Sequence, residues 1–165
     1  MTLTDLASQL GGALQQQGAQ VTTAESCTGG GIAEAITRIA GSSAWFEAGF
    51  VTYSNAQKTR QLQVPTELFA EVGAVSREVV EAMARGAQRA SGATYAVAVS
   101  GVAGPGGGSL EKPVGTVWLA WARGDDRFSQ RYRFNGDREA VREQSVEAAL
   151  VGLIHLVAGE NPVKG

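Results

Sequence analysis

The stretch Thr94-Tyr95-Ala96-Val97-Ala98-Val99-Ser100 decides the fold, because it is almost entirely apolar and β-branched. A run without polar alternation is typical of a central strand that helices cover on both faces. Residues 76–89 before it have the apolar spacing of a helix, with Ser76 as a suitable N-cap and Gly92 as the stop. The sequence therefore predicts a helix followed by a buried strand, as in α/β proteins.

The same patterns extend towards the N-terminus. Leucines spaced by three and four residues predict an opening helix that ends near Gly18. Composition and spacing then predict, in order, a strand at 19–24, a helix at 28–39 and a strand at 44–53. Short helical pieces are predicted after Ser54 or Asn55, and again after Pro65.

The C-terminal third departs from strict alternation. Residues 114–122 and 127–134 read as two strands, and their connection is short enough for an antiparallel hairpin. A last helix fits residues 137–157. We therefore expect a three-layer α/β/α sandwich with a mixed, mostly parallel sheet, formed by residues 1–165 as a single domain.

Composition excludes several functional classes. A net charge of −2 leaves no basic excess for a nucleic-acid backbone, and no stretch approaches the roughly 20 apolar residues of a membrane span. One cysteine and one histidine are too few for a zinc site built from these ligands, so no metal is expected. The unpaired Cys27 and the lack of a signal-like N-terminus predict a cytoplasmic protein.

The segment Thr23-Ala24-Glu25-Ser26-Cys27-Thr28-Gly29-Gly30 places a carboxylate, a hydroxyl and a thiol where a strand gives way to a helix. Backbone N–H groups at such a turn can bind a phosphate or stabilise an oxyanion. Ser26 is therefore a candidate nucleophile. The alternative is that Ser26 or Thr28 only caps the helix. Cys27 is a second candidate, because thiols near helix N-termini can be acidified, but it lacks a histidine base and is expected to be a buried small residue.

A serine nucleophile needs a base, and His155 lies among apolar residues of the last helix, so a Ser-His-Asp triad is not expected. Lys58, five residues after Tyr53, is the alternative base if burial or a neighbouring positive charge lowers its pKa. On spacing alone, the favoured interpretation is a solvated surface lysine and a strand-end tyrosine.

A glycine-rich loop, SGVAGPGGGS at residues 100–109, follows the buried strand. It is neither a Walker A loop nor a dinucleotide fingerprint, but it stands where α/β sheets bind ligands, and its amides can approach an anion. A flexible connection is the other interpretation. Arg138 and Arg142 share one face of the last helix, where they either clamp a phosphate or pair with Glu139 and Glu143.

Taken together, the chain resembles the CinA C-terminal domain family over nearly its whole length. The resemblance rests on TTAESCTGG at 22–30, AGSSAWFEAGFVTYSNAQK at 40–58, GAVS at 73–76, SGVAGPGGG at 100–108, EKPVGTVW at 111–118 and GDREAVR at 136–142.

The resemblance implies hydrolysis of nicotinamide mononucleotide to nicotinate mononucleotide and ammonia, in pyridine-nucleotide recycling, without a metal or other cofactor. It implies that Ser26 attacks the carboxamide, Lys58 takes the proton and Tyr53 positions or relays it. The implied substrate-binding residues are Cys27, Thr28, Gly29 and Gly30 at the oxyanion, and Gly101, Ala103, Gly104, Gly106, Gly107, Arg138 and Arg142 at the ribose and phosphate. A homodimer is also expected, with Trp45, Trp118 and Trp121 as interface or core aromatics.

Two other functions stay open from the sequence. The glycine loops suit a non-catalytic nucleotide-binding or partner-binding module, in which Ser26 is only a cap. The same residues also suit an amidase that acts on another amide. Turnover separates the first alternative from the enzyme, and a comparison of amide substrates separates the second.

Overall fold

The computed structural model describes residues 1–163 of the chain. Its elements are α1 (Leu3–Gln17), β1 (Val21–Glu25), α2 (Gly31–Thr37), a 3-10 turn (Ser42–Ala44), β2 (Phe46–Val51), α3 (Asn55–Leu62), α4 (Glu67–Glu71), α5 (Arg77–Ser91), β3 (Tyr95–Gly101), β4 (Thr116–Arg123), β5 (Asp126–Arg133) and α6 (Arg138–Val157). The helices and strands predicted from the sequence are all present, with ends that differ by up to three residues.

The five strands form one sheet in the order β2-β1-β3-β4-β5. Strand β1 pairs in parallel with β2 and β3, whereas β4 pairs antiparallel with both β3 and β5. Four strands therefore point one way and β4 points the other way. The mixed, mostly parallel sheet predicted from the sequence is confirmed.

Helices cover both faces of the sheet. Helices α1, α2 and α6 pack on one face of the sheet, and their core includes Trp45 and Trp121. Helices α3 and α5 lie on the other face of the sheet. Both of these tryptophans are buried, so they belong to the core of this chain. A Cβ at Gly152 of α6 would overlap the Trp121 indole, so glycine lets the helix approach the sheet closely.

Local signals set the helix ends. Ser54 and Ser76 are N-caps whose hydroxyls accept from the amides of Gln57 and Val79, as the sequence predicts for Ser76 and allows for Ser54. Helix α2 begins three residues later than predicted, at Gly31. The preceding residues 26–30 form a tight turn instead of a first helical turn.

The topology brings three loops to one edge. Because β1, β2 and β3 are parallel, the segments after their carboxyl ends meet at the same edge of the sheet. These segments are residues 26–30, 52–58 and 101–108, and the start of α6 lies beside them. No helix within residues 1–163 combines the length and apolarity needed to cross a bilayer.

Candidate active site

The turn after β1 holds Ser26 at the end of the strand. The Ser26 amide donates to the carbonyl of Val99 on β3 at 3.1 Å, so the strand pairing continues to Ser26 itself. Gly29 and Gly30 then adopt φ values of +59° and +102°, a backbone region that favours glycine. The chain reverses within this turn and enters α2, which leaves the Ser26 side chain at the sheet edge.

Glu25, the last residue of β1, holds this turn in place through hydrogen bonds. Its fully buried carboxylate accepts from the Thr28 hydroxyl at 2.5 Å and from the backbone amides of Ile32 and Ala33 at 2.9 and 3.0 Å. A carboxylate at a helix N-terminus satisfies unpaired amides and is stabilised by the helix dipole. Glu25 therefore links the strand, the turn and α2.

Lys58 lies in α3 and reaches Ser26 across the site. Its Nζ donates to Ser26 Oγ at 3.1 Å and to the carbonyl of Tyr53 at 3.0 Å, and the side chain is only 1% exposed. Burial lowers the pKa of Lys58, against a smaller opposing effect of Cys27. The interpretation of Lys58 as a solvated surface lysine is therefore wrong.

Tyr53 takes part through its backbone and its side chain in different places. Its carbonyl accepts from both Lys58 Nζ and Ser26 Oγ, the latter at 3.4 Å. Its ring is 60% exposed, and its hydroxyl accepts from Arg138 at 3.0 Å. The carbonyl thus fixes the Ser26–Lys58 pair, whereas the hydroxyl lies with the arginine.

The other two candidate nucleophile or base residues do not share this arrangement. Cys27 is buried, and burial raises the pKa of its thiol to about 12, so the thiol stays protonated at neutral pH. His155 is partly exposed, and its Nδ1 lies 2.9 Å from Glu160 Oε1 near the far end of α6, roughly 25 Å along the helix from Arg138. Both residues behave as expected from the sequence, Cys27 as a buried small residue and His155 as a surface residue.

Arg138 and Arg142 extend from α6 over the loops. Arg138 donates to the carbonyl of Gly104 at 2.9 Å, in addition to the Tyr53 hydroxyl. Arg142 donates to the carbonyls of Cys27 and Thr28, both at 3.2 Å. Within residues 1–163 neither arginine forms an ion pair with Glu139 or Glu143, so the alternative of solvated ion pairs is wrong.

Two adjoining cavities lie above the reacting pair. A cavity of about 210 Å³ is bounded by Ser26, Lys58, Ser100, Gly101, Ala103 and Arg138, among others. A larger open groove of about 850 Å³ includes Pro105, Gly136, Asp137 and Arg142 in its walls, and it shares Ala103 and Arg138 with the first cavity. A small molecule can therefore span from the Ser26 hydroxyl to the start of α6.

The chain is similar to known proteins over nearly its whole length. The family described as CinA C-terminal domain matches residues 3–157. The chain belongs to the CinA C-terminal domain family. One relative, the nicotinamide-nucleotide amidohydrolase PncC of Pseudomonas putida, is 73% identical over 154 residues, which cover 93% of this chain and 96% of the relative.

Two further members of the CinA family are similar over most of their length. The PncC protein of Escherichia coli K12 is 58% identical over 150 residues, which are 90% of each chain. The crystal structure of a CinA superfamily protein from Klebsiella pneumoniae 700603 has a TM-score of 0.93 and 41% identity, covering 96% of this chain and 99% of that one. This chain therefore shares its fold with a solved structure of the family over nearly its whole length.

In this CinA family member the predicted site residues fall into two groups, those that line the Ser26 cavity and those that lie farther from Ser26. Lys58, Tyr53, Cys27, Gly101, Ala103 and Arg138 line the Ser26 cavity. Arg142 lines the groove and bonds the turn after β1. The Gly29 amide donates a hydrogen bond to the carbonyl of Ser26 at 3.0 Å. Gly106 and Gly107 belong to the exposed part of the loop and line neither cavity.

Sequence reasoning assigned no role to two residues of the site. Glu25 anchors the turn, and Ser100 lines the cavity at the end of β3. The position of Ser100 directly after a buried apolar strand is the signal that can identify it, because such strand ends form the ligand edge of the sheet. For Glu25 the signal is a carboxylate one residue before the turn and within reach of a helix N-terminus.

Proposed function

We propose that this chain hydrolyses the carboxamide of nicotinamide mononucleotide to nicotinate mononucleotide and ammonia. The observation that carries the proposal is the buried contact of 3.1 Å between Lys58 Nζ and Ser26 Oγ at a cavity. An amine that burial makes less basic can serve as the base for a serine that has no histidine. The PncC relatives support the choice of substrate.

In the first half-reaction, neutral Lys58 accepts the Ser26 hydroxyl proton while Ser26 Oγ bonds to the carboxamide carbon. The carbonyl oxygen becomes an oxyanion. Lys58 then gives its proton to the amide nitrogen, the C–N bond breaks, and ammonia leaves. The Tyr53 carbonyl holds Lys58 throughout, and this contact favours positioning over a proton relay through the Tyr53 hydroxyl.

In the second half-reaction, water hydrolyses the acyl ester on Ser26. Lys58 accepts a proton from the water as its oxygen attacks the ester carbon. The C–O bond to Ser26 breaks, and Lys58 returns the proton to Ser26 Oγ. The acid so formed releases its proton to solvent, the nicotinate product leaves as a carboxylate, and the enzyme is restored.

The oxyanion is stabilised by backbone amides of the turn. The Gly29 amide already donates to the carbonyl of Ser26, which leaves the amides of Cys27, Thr28 and Gly30 as the donors for this role. This assignment removes Gly29 from the four oxyanion-binding residues that the resemblance implies.

The two cavities accommodate the two ends of the substrate. The pyridine carboxamide fits the smaller cavity at Ser26, and the ribose phosphate fits the groove at the start of α6. Both arginines border the groove and each donates to two protein oxygens, but of the two only Arg138 also borders the Ser26 cavity. Arg138 is therefore the phosphate-binding arginine of this proposal.

The test measures ammonia and nicotinate mononucleotide from nicotinamide mononucleotide with purified protein. Ser26→Ala and Lys58→Met should each lower kcat by about 10³-fold or more, because the nucleophile and its base act as a unit. Ser43→Ala, at an exposed serine, is the matched control and should retain full activity. An active Ser26→Ala enzyme contradicts the mechanism, and a folded wild type without product contradicts the function.

The same assay compares free nicotinamide and the dinucleotide as substrates. Preference for the mononucleotide supports the groove as the ribose-phosphate site, and equal turnover of free nicotinamide counts against it. Pyridine-nucleotide recycling, a cytoplasmic location and a homodimer are parts of the same proposal. Sedimentation of the purified protein tests the dimer.

A further inference from the structure

Ser100 lies beside the reacting pair but belongs to a different strand. It is the next-to-last residue of β3, is 2% exposed and lines the cavity that contains Ser26 and Lys58. Strand β1 pairs with β3 so that Glu25 lies opposite Val99, and the Ser26 amide continues this pairing. Ser26 and Ser100 are therefore neighbours across adjacent strands, about 5 Å apart at their Cα atoms.

The Ser100 hydroxyl is unusual among the buried serines of the chain. Ser26 bonds Lys58, Ser76 donates to the carbonyl of Gly73 at 2.8 Å, and Ser145 donates to that of Val141 at 2.7 Å. Among the described residues, Ser100 Oγ has no hydrogen-bond partner. A hydroxyl that has no partner in the protein and lies at a cavity wall is available to bond a molecule in the cavity.

Two other hydroxyls also lack a hydrogen-bond partner, but they differ from the Ser100 hydroxyl in position. Thr23 and Thr52 are also buried and unbonded, but neither lines the cavity. Ser100 Oγ is not among these fully enclosed atoms, although its residue is almost completely buried. The Ser100 hydroxyl is thus the unbonded one that a molecule in the cavity can reach.

We propose that Ser100 Oγ accepts a hydrogen bond from the carboxamide nitrogen of the substrate. This inference rests on the proposed function. With the carbonyl oxygen directed at the amides of the turn after β1, the nitrogen is directed away from that turn and towards β3. A hydroxyl oxygen can accept from the amide N–H, which an ester does not have. Ser100 therefore selects an amide over an ester at the reacting carbon and holds the leaving nitrogen near Lys58.

The experiment compares the amide substrate with the methyl ester of nicotinate mononucleotide in wild type and Ser100→Ala. We expect kcat/KM for the amide to fall about 10–100-fold, because one partner of a buried hydrogen bond is lost. For the ester, kcat/KM should change by less than threefold. The denaturation midpoint should not fall, because the replaced hydroxyl has no partner in the free protein.

Three outcomes overturn the inference. An equal loss on amide and ester shows a general effect on the site, and an unchanged rate on the amide shows that no such contact exists. A lower denaturation midpoint assigns Ser100 to the stability of β3. A folded wild type that turns over neither compound removes the proposed function, which distinguishes that failure from a failure of the Ser100 contact alone.

Discussion

Two segments leave the sheet at neighbouring strand ends, and the structure secures them to different degrees. The turn at residues 26–30, after β1, is bonded on several sides. The Glu25 carboxylate holds it from the sheet side, and the Arg142 guanidinium binds two of its carbonyls. Its internal bonds run from the Gly29 amide to the carbonyl of Ser26 and from the Gly31 amide to that of Thr28.

The loop after β3 is bonded at its two ends and near residue 111, where the Ser109 amide donates to the carbonyl of Lys112 at 3.0 Å and Arg131 donates to that of Glu111 at 2.7 Å. The Val102 amide donates to the carbonyl of Thr116 at 2.8 Å, and the Gly115 amide returns a bond to the carbonyl of Val102 at 2.7 Å. Arg138 adds one contact, to the carbonyl of Gly104. Residues 105–111 between these points are exposed.

Under the proposed function, this difference separates the residues that carry out the reaction from the residues that bind the substrate. Proton transfer and oxyanion stabilisation need atoms held within tenths of an ångström, and the turn that carries Ser26 is fixed accordingly. A ribose and a phosphate can be met by a loop that adjusts its backbone. Substitutions in the turn should therefore change stability and kcat, and substitutions in the loop should act mainly on KM.

The largest effect on stability is expected for Glu25→Gln. The amide keeps the shape of the side chain but places an NH₂ group against a buried donor and removes the charge. We expect the free energy of unfolding to fall by about 2–4 kcal/mol, because bonds to a charged acceptor are lost and a buried N–H or hydroxyl is left unsatisfied. Urea denaturation measures the change.

Glu34→Gln is the matched control for Glu25→Gln. Glu34 lies on α2, whose amides Glu25 binds, but it is exposed and its carboxylate bonds only the neighbouring Arg38. Surface pairs of this kind contribute less than about 1 kcal/mol. Equal losses in the two variants would contradict the view that Glu25 fastens the turn.

Arg142 contacts the turn after β1 and Arg138 contacts the loop after β3, so substitutions of these two arginines test the comparison. Arg142→Met removes both bonds to the turn, so kcat should fall and the free energy of unfolding should drop by about 1–2 kcal/mol. Arg138→Met should instead raise KM for nicotinamide mononucleotide about tenfold and leave kcat less affected.

Nicotinamide riboside, which lacks the phosphate, is the control substrate for both arginines. Arg138→Met should affect its KM little, whereas Arg142→Met should lower its kcat as it does for the mononucleotide. Steady-state kinetics on both substrates gives these values. If Arg142→Met changes only KM, and only for the phosphorylated substrate, the two assignments are reversed.

The sequence could predict what depends on near neighbours in the chain. The N-cap at Ser76 and the end of α5 at Gly92 follow from residues within one helical turn of them. The beginning of α2 was placed too early, because two consecutive residues with positive φ, Gly29 and Gly30, extend the turn. Glycine composition alone does not distinguish such a turn from a helix start.

The site itself depends on pairing between distant segments. Ser26 and Lys58 are 32 residues apart, and their contact requires β1 and β2 to be adjacent and parallel. Spacing alone allows Ser26 as a nucleophile or a helix cap and Lys58 as a base or a surface lysine, and the family resemblance favours the first role of each. Ser100 was not singled out, because the lack of a partner for its hydroxyl is visible only when the surrounding side chains are in place.

The smallest effect is expected for Gly106→Ala, in the exposed part of the loop. Gly106 has no positive φ, and a Cβ there meets nothing within 4 Å. The free energy of unfolding should change by less than about 0.5 kcal/mol, and KM for nicotinamide mononucleotide by less than threefold.

Gly104→Ala is the contrasting variant in the same loop, because Gly104 has a φ of +85° and a Cβ there would overlap Val114. It should destabilise the protein clearly, by about 1–3 kcal/mol, because an L-residue is strained at this φ. Urea denaturation and steady-state kinetics on both variants separate the ends of the loop from its exposed middle. A large rise in KM for Gly106→Ala at unchanged stability would mean that the loop closes on the phosphate at Gly106, because only a close approach in the bound state is then sensitive to the added methyl group.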